Sequence, residues 1–144
     1  MDVGGRGGTD FLAIEQQRGG KAGSGLKGWG IPAAVSLVEV LESGLPLKVI
    51  ASGGIRSGLD MARALALGAE IAGVAGFFLR ILRQASAAEL VRRIREWEEE
   101  LRDVMTMVGS RTLSELRRRP LLVLGATREW LEQRGIDPTR YARR

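Results

Sequence analysis

Two short apolar runs with one helical stretch between them constrain this chain more than any other feature. Residues 47–51 (LKVIA) lead into Ser52-Gly53-Gly54, and residues 71–75 (IAGVA) lead into Gly76. Neither run alternates polar with apolar, which is the pattern of strands covered on both faces. Residues 59–67, between them, read as a helix with Ser57 as its cap and Gly68 as its stop. Strand, helix and strand in this order predict a parallel pair joined by a crossover. A further helix is predicted after Pro32, with Val35, Leu37, Val38 and Leu41 on its apolar face and Gly44 closing it. Asp2-Val3 reads as the last step of a still earlier strand. The fold class is α/β, with about three strands, each near the usual length of about five residues or shorter.

Beyond residue 85 the pattern becomes helical. Ser86-Ala-Ala-Glu89 is a capping box, and Leu90, Ile94, Trp97, Leu101, Met105 and Val108 then recur at spacings of three and four, up to Gly109. One amphipathic helix of about six turns is expected, with Trp97 in its buried stripe. Thr112-Leu-Ser-Glu115 opens a second, short helix that stops before Pro120. Thr127 is the expected cap of a third, and Asp137-Pro138 opens a polar tail. Glycine and charge divide at the same place. Residues 1–79 hold seventeen of the 20 glycines and balance seven basic against seven acidic residues, whereas residues 80–144 hold fifteen basic and ten acidic. Two parts follow: residues 1–84, a ligand-facing βα part, and residues 85–144, a helical extension that packs on it.

Composition narrows the chemistry. The 144 residues exclude a complete eight-fold βα barrel, which needs about 250. There is no Cys and no His, which removes thiolate catalysis, Ser-His pairs and imidazole metal ligands together. No segment has the roughly 18 uninterrupted apolar residues of a membrane helix, and the polar, Gly-rich first ten residues are unlike a secretory signal. A cytoplasmic protein is expected. The basic helices carry Glu96, Glu98, Glu99, Glu100 and Asp103 among their arginines, the mark of a solvated helix rather than a nucleic-acid face.

Candidate ligand residues gather at the strand ends. Ser52-Gly-Gly-Ile-Arg-Ser-Gly58 follows a strand and precedes a helix. Paired glycines let backbone N–H groups line a concavity, the helix start adds its dipole, and Arg56 adds a fork of donors. Ala75-Gly76 lies at the next strand end, so two consecutive strands present a phosphate-binding edge. Gly4-Gly-Arg-Gly-Gly-Thr9 suits a loop wrapped around a flat or anionic ligand. Asp10 and Glu15 are the carboxylates near these loops, with solvation or pairing to Arg18 or Lys21 as the plain alternative. Trp29, beside Gly30 in a loop, is a candidate pocket wall.

These motifs together resemble the type 2, FMN-dependent isopentenyl diphosphate isomerases. The resemblance is carried by Gly4-Gly-Arg-Gly-Gly-Thr-Asp-Phe11, Trp29-Gly-Ile-Pro-Ala33, Ile50-Ala-Ser-Gly-Gly-Ile-Arg-Ser-Gly-Leu-Asp60, Ala66-Leu-Gly-Ala69 and Ala75-Gly76, in the family's order, and by Arg111-Thr-Leu-Ser-Glu-Leu116 and Thr127-Arg-Glu-Trp-Leu131. The Ser-Gly-Gly-Ile-Arg block is shared with other FMN-binding barrels, such as hydroxy acid oxidases, but those rely on a catalytic His. The resemblance implies the C-terminal portion of a TIM (β/α)8 barrel, about strands 6–8, plus C-terminal helices. It implies Thr9, Gly53, Gly54, Ile55, Arg56, Ala75 and Gly76 as FMN-binding residues, with no catalytic residue and no metal ligand identified in this chain. It further implies isopentenyl and dimethylallyl diphosphate as substrates, Mg2+ and NADPH bound mostly by residues outside the chain, and a homo-oligomer in the intact family. Nucleic acid and membrane are not expected partners. The shortness of the first strand leads to the expectation of a truncated or split gene product that needs a complementary N-terminal chain.

Overall fold

The computed structural model describes residues 1–8, 10–19, 26 and 28–144. Helices α1 (Phe11–Gln17) and α2 (Ala33–Glu42) precede strand β1 (Ile50–Ser52), helix α3 (Gly58–Leu67), strand β2 (Ile71–Gly73) and helix α4 (Gly76–Gln84). Helices α5 (Ala87–Met107), α6 (Leu113–Leu116), α7 (Gly125–Gln133) and α8 (Thr139–Ala142) follow. This is a mixed helix–strand fold around a small parallel sheet.

β1 and β2 pair in parallel, with Ile50 opposite Ile71 and Ser52 opposite Gly73. The segment at Asp2 lies on the other side of β1 as an isolated parallel bridge to Ile50. Val3 N–H donates to Ile50 O at 3.0 Å and Gly5 N–H to Ser52 O at 3.2 Å, so the predicted strand step is a parallel neighbour of β1. The strands are shorter than the apolar runs. Leu47 is exposed, and Ile71 is 54% exposed although its run reads as buried. Side chains alternate between the two faces of a strand. Only the face carrying Val3 and Ala51 is covered by helices, so the apolar run at β2 overstates its burial.

That covered face holds the main core. Val3, Val49 and Ala51 meet Val35, Leu37 and Val38 of α2, Leu67, Leu131 of α7 and Tyr141 of α8. Fully burying one such aliphatic side chain contributes about 1.5–3 kcal/mol. A second cluster joins Leu65 and Ala66 of α3 to Leu116, with Leu101 and Met105 of α5 packed against it.

The caps explain where most helices begin. Ser57, Ser86 and Thr112 accept the N–H of Asp60, Glu89 and Glu115, each at 3.1 Å. α5 runs 21 residues with Trp97 buried, as its periodicity predicts. Two expectations for the helical part need correction. Thr127 does not cap α7, which starts at Gly125 behind Leu124 with no side-chain cap. The supposed polar tail folds back as α8 and buries Tyr141 completely. The Asp137 carboxylate accepts the N–H and hydroxyl of Thr139, starting that turn, and these bonds hold it below the usual carboxylate range.

Candidate functional site

Three chain segments converge at the C-terminal ends of the parallel strands. Gly4, Gly7 and Gly8, residues 52–56 and residues 73–77 surround one cavity of about 620 Å³. Gly53, Gly54, Ile55, Arg56, Ala75 and Gly76 all line it. Thr9 lies outside the described residues.

Glycine lets the loops meet. Gly53 has φ +89°, and a Cβ there would lie 2.3 Å from Gly5 O. A Cβ on Gly8 would lie 2.7 Å from Gly53 Cα, and one on Gly5 would lie 2.2 Å from Ala33 Cα. The first loop is therefore seated directly on the second. At these positions the missing side chain makes room for neighbouring backbone, a cause that the sequence reading, which assigned it to a ligand, did not see. At Gly76 an added Cβ would meet nothing within 4 Å, so that position opens onto free space.

The two helix N-termini at the cavity differ. α3 is closed by its own protein: Gly58 N–H donates to Glu100 Oε2 at 2.6 Å, Asp60 N–H to Ser57 Oγ, and Arg56 N–H to Asp60 Oδ2 at 3.2 Å. The dipole expected at α3 is thus already matched by two carboxylates. α4 has no side-chain cap and no acidic residue in its first turn. Its first-turn N–H groups have no intrahelical partner by construction and suit an anion. Arg80, one turn further on, also lines the cavity and joins Arg56. The anion-favouring end is therefore α4 rather than α3.

α4 is fixed by aromatic packing. Phe77 stacks on Trp97 at 5.0 Å between centroids, and Phe78 meets the same indole at 5.1 Å. Trp97 is 4% exposed, so α5 anchors the helix whose start faces the cavity.

Two lining residues escape the sequence reading. Arg80 sits in an apolar helical stretch, where a cation reads as a solvated residue. Asp2 lines the cavity as well and accepts the Ser52 hydroxyl at 2.6 Å. Asp10, by contrast, borders a smaller hollow of about 200 Å³ with Arg6 and Trp29. Trp29 does line that hollow while remaining 77% exposed. Glu15 is an exposed residue of α1. Among the described residues no three carboxylates gather as a metal site, and no helix is long and apolar enough to cross a membrane.

The family model of the FMN-dependent dehydrogenases matches residues 30–123, which include both strand-end loops and α4. The chain belongs to the FMN-dependent dehydrogenase family. Within that family its relatives carry a narrower name. It is 52% identical over 134 residues to the isopentenyl-diphosphate delta-isomerase of Moorella thermoacetica, covering 93% of this chain and 39% of that protein. The isomerases of Bacillus licheniformis and Methanothermobacter thermautotrophicus are 43% and 45% identical over the whole chain, which covers 41% of each. These names agree with the motif resemblance. The chain spans about two fifths of the length of the curated relatives it matches. The FMN-dependent dehydrogenase assignment also gives the cavity a cofactor to be tested against. The residues present fit FMN: an uncapped helix start, two arginines and an open glycine line one cavity.

Proposed function

We propose that this chain supplies the phosphate-holding part of an FMN site in a cytoplasmic isopentenyl-diphosphate delta-isomerase, as the closing βα units of a TIM barrel. The observation that carries this reading is the convergence of both strand-end loops and the uncapped α4 start, with Arg56 and Arg80, on one cavity. The parallel order of the Asp2 segment, β1 and β2 supports barrel strands 6–8. In this reading residues 1–84 face the cofactor and residues 85–144 wrap them. Gly53, Gly54, Ile55, Arg56, Ala75 and Gly76 hold the phosphate, and Thr9 contacts the flavin from the first loop. Proton transfer between isopentenyl and dimethylallyl diphosphate would be the chemistry that a bound, reduced flavin brings to this site, which suits a chain with neither His nor Cys. Arg56 and Arg80 bind and orient the anionic end, and the α4 start adds N–H donors. Mg2+ and NADPH would be held mainly by residues that a complementary N-terminal chain provides, within a homo-oligomer. The hydroxy acid oxidase alternative is weaker because the chain has no His.

Flavin fluorescence during titration with FMN tests the binding half of this reading. Saturable binding is expected, weakened about tenfold or more by Arg56→Ala, since a charge-assisted bond is worth about 1.5–3 kcal/mol. No binding at high micromolar FMN, alone or with a co-expressed N-terminal half of a relative, defeats it. Isomerase activity is expected only with that second half present.

A further inference from the structure

One turn of α5 touches two segments that border the cavity. Gly58, the buried first residue of α3, is pressed against this turn. A Cβ on Gly58 would collide with Trp97 O and lie 2.5 Å from Glu100 Cβ. The indole of the same Trp97 carries Phe77, which lines the cavity directly after Gly76. Arg56, two residues before Gly58, lines that cavity as well. Residues 97–100 therefore bridge the Arg56 loop and the α4 start, although both belong to the βα part and α5 belongs to the helical part.

Glu100 makes this bridge specific. Its Oε2 accepts Gly58 N–H at 2.6 Å, across 42 residues of chain. α3 does not need that bond in order to start. Ser57 already caps it by accepting Asp60 N–H at 3.1 Å, and Asp60 in the first turn suits the helix dipole. Glu98, on the same helix, pairs only one turn away, with Arg102 at 3.4 Å. Glu100 instead grips the backbone of another element. Arg56 N–H in turn donates to Asp60 Oδ2 at 3.2 Å, so the loop that carries Arg56 is tied through the first turn of α3 to α5.

Resting on the FMN reading above, we infer that Glu100 is a positioning residue: it fastens the start of α3 to the α5 turn that also carries Phe77, and so sets the spacing between Arg56 and the α4 start. Glu100 itself touches no ligand in this account. It acts through the Gly58 peptide, and the helical part thereby tunes the affinity of a cavity lined by the βα part.

FMN titration of the 144-residue chain and its variants, followed by flavin fluorescence and paired with thermal unfolding, tests this. Glu100→Ala removes the acceptor, and Gly58→Ala forces the same contact apart from the other side. Glu100→Gln keeps a side-chain oxygen for Gly58 N–H. Leu101→Ala loosens the second core cluster instead and is the control for stability. The expected result is FMN binding weakened about tenfold in Glu100→Ala and in Gly58→Ala, as loss of a hydrogen bond to a charged group implies. The double variant loses no more than the weaker single one, because both changes break one contact. Glu100→Gln binds as the wild type does, and Leu101→Ala has a lower unfolding midpoint with wild-type affinity. Wild-type affinity in Glu100→Ala and Gly58→Ala overturns the inference and leaves the FMN reading standing. It is overturned as well if Leu101→Ala loses as much affinity, since Glu100 then only stabilises the fold, or if Glu100→Gln is as weak as Glu100→Ala, or if the two losses add. A wild-type chain that binds no flavin overturns both readings.

Discussion

Gly53 and Gly76 both border the cavity, yet they are glycines for different reasons. Gly53 is required by its positive φ and by the Gly5 carbonyl, which leaves no room for a methyl group. Gly53→Ala is expected to cost about 1–3 kcal/mol, the range for overpacking, visible as a lower midpoint in urea unfolding. Gly76→Ala meets open space and is expected to leave stability within about 0.5 kcal/mol, like other substitutions away from packed features. Equal losses in the two variants would contradict this account. Tyr141 gives a third residue-scale prediction. It is fully buried, and its hydroxyl has no hydrogen-bond partner among the described residues. Burial raises its pKa above the ordinary value. The unfolded phenol therefore ionises first, at about pH 10. The stability it contributes is complete below that pH and is lost as the pH rises toward the folded value. Alkaline unfolding curves should show this loss in the wild type and not in Tyr141→Phe.

At the scale of elements, the position of α4 depends on a neighbour far along the chain. Trp97 of α5 carries both Phe77 and Phe78. Trp97→Ala is expected to cost about 3–5 kcal/mol by cavity formation, and to weaken FMN binding because the α4 start loses its support. Thermal unfolding and the flavin-fluorescence titration check these separately. The same elements show what a sequence can disclose. α3, α5 and α6 were readable because Ser57, Ser86 and Thr112 cap them locally. Gly53, Gly54, Ile55, Arg56, Ala75 and Gly76 were readable as one set because parallel strands put their ends together. Local signals failed where tertiary contacts decide. Leu124 starts α7 without a side-chain cap, and Tyr141 enters the core from a segment that is polar by composition. Asp2 was missed because its role needs Ser52, fifty residues away. The closed end of α3 was missed because Glu100 supplies it from α5.

The whole molecule is closed by its last elements. Leu131 and Tyr141 share one cluster with Val3, Val35 and Val49. Arg134 pairs with Glu39 at 2.9 Å, Arg140 pairs with Glu42, and Arg144 Nη1 donates to Ala66 O at 2.6 Å and Arg117 O at 2.7 Å. Leu131→Ala is expected to cost about 2–5 kcal/mol, measured by urea unfolding. Removing residues 137–144 should abolish the cooperative thermal transition, whereas a transition at the wild-type temperature would mean that α8 is dispensable. The burial of Tyr141 in the same core cluster as Val3 also sets an order of events during synthesis. The first strand segment is made 138 residues before Tyr141 and cannot complete its core until residue 141 has emerged as well. Contacts this distant in sequence form slowly. On the ribosome the strand segment that leads into the first glycine-rich loop therefore stays without its full core until residue 141 has been added.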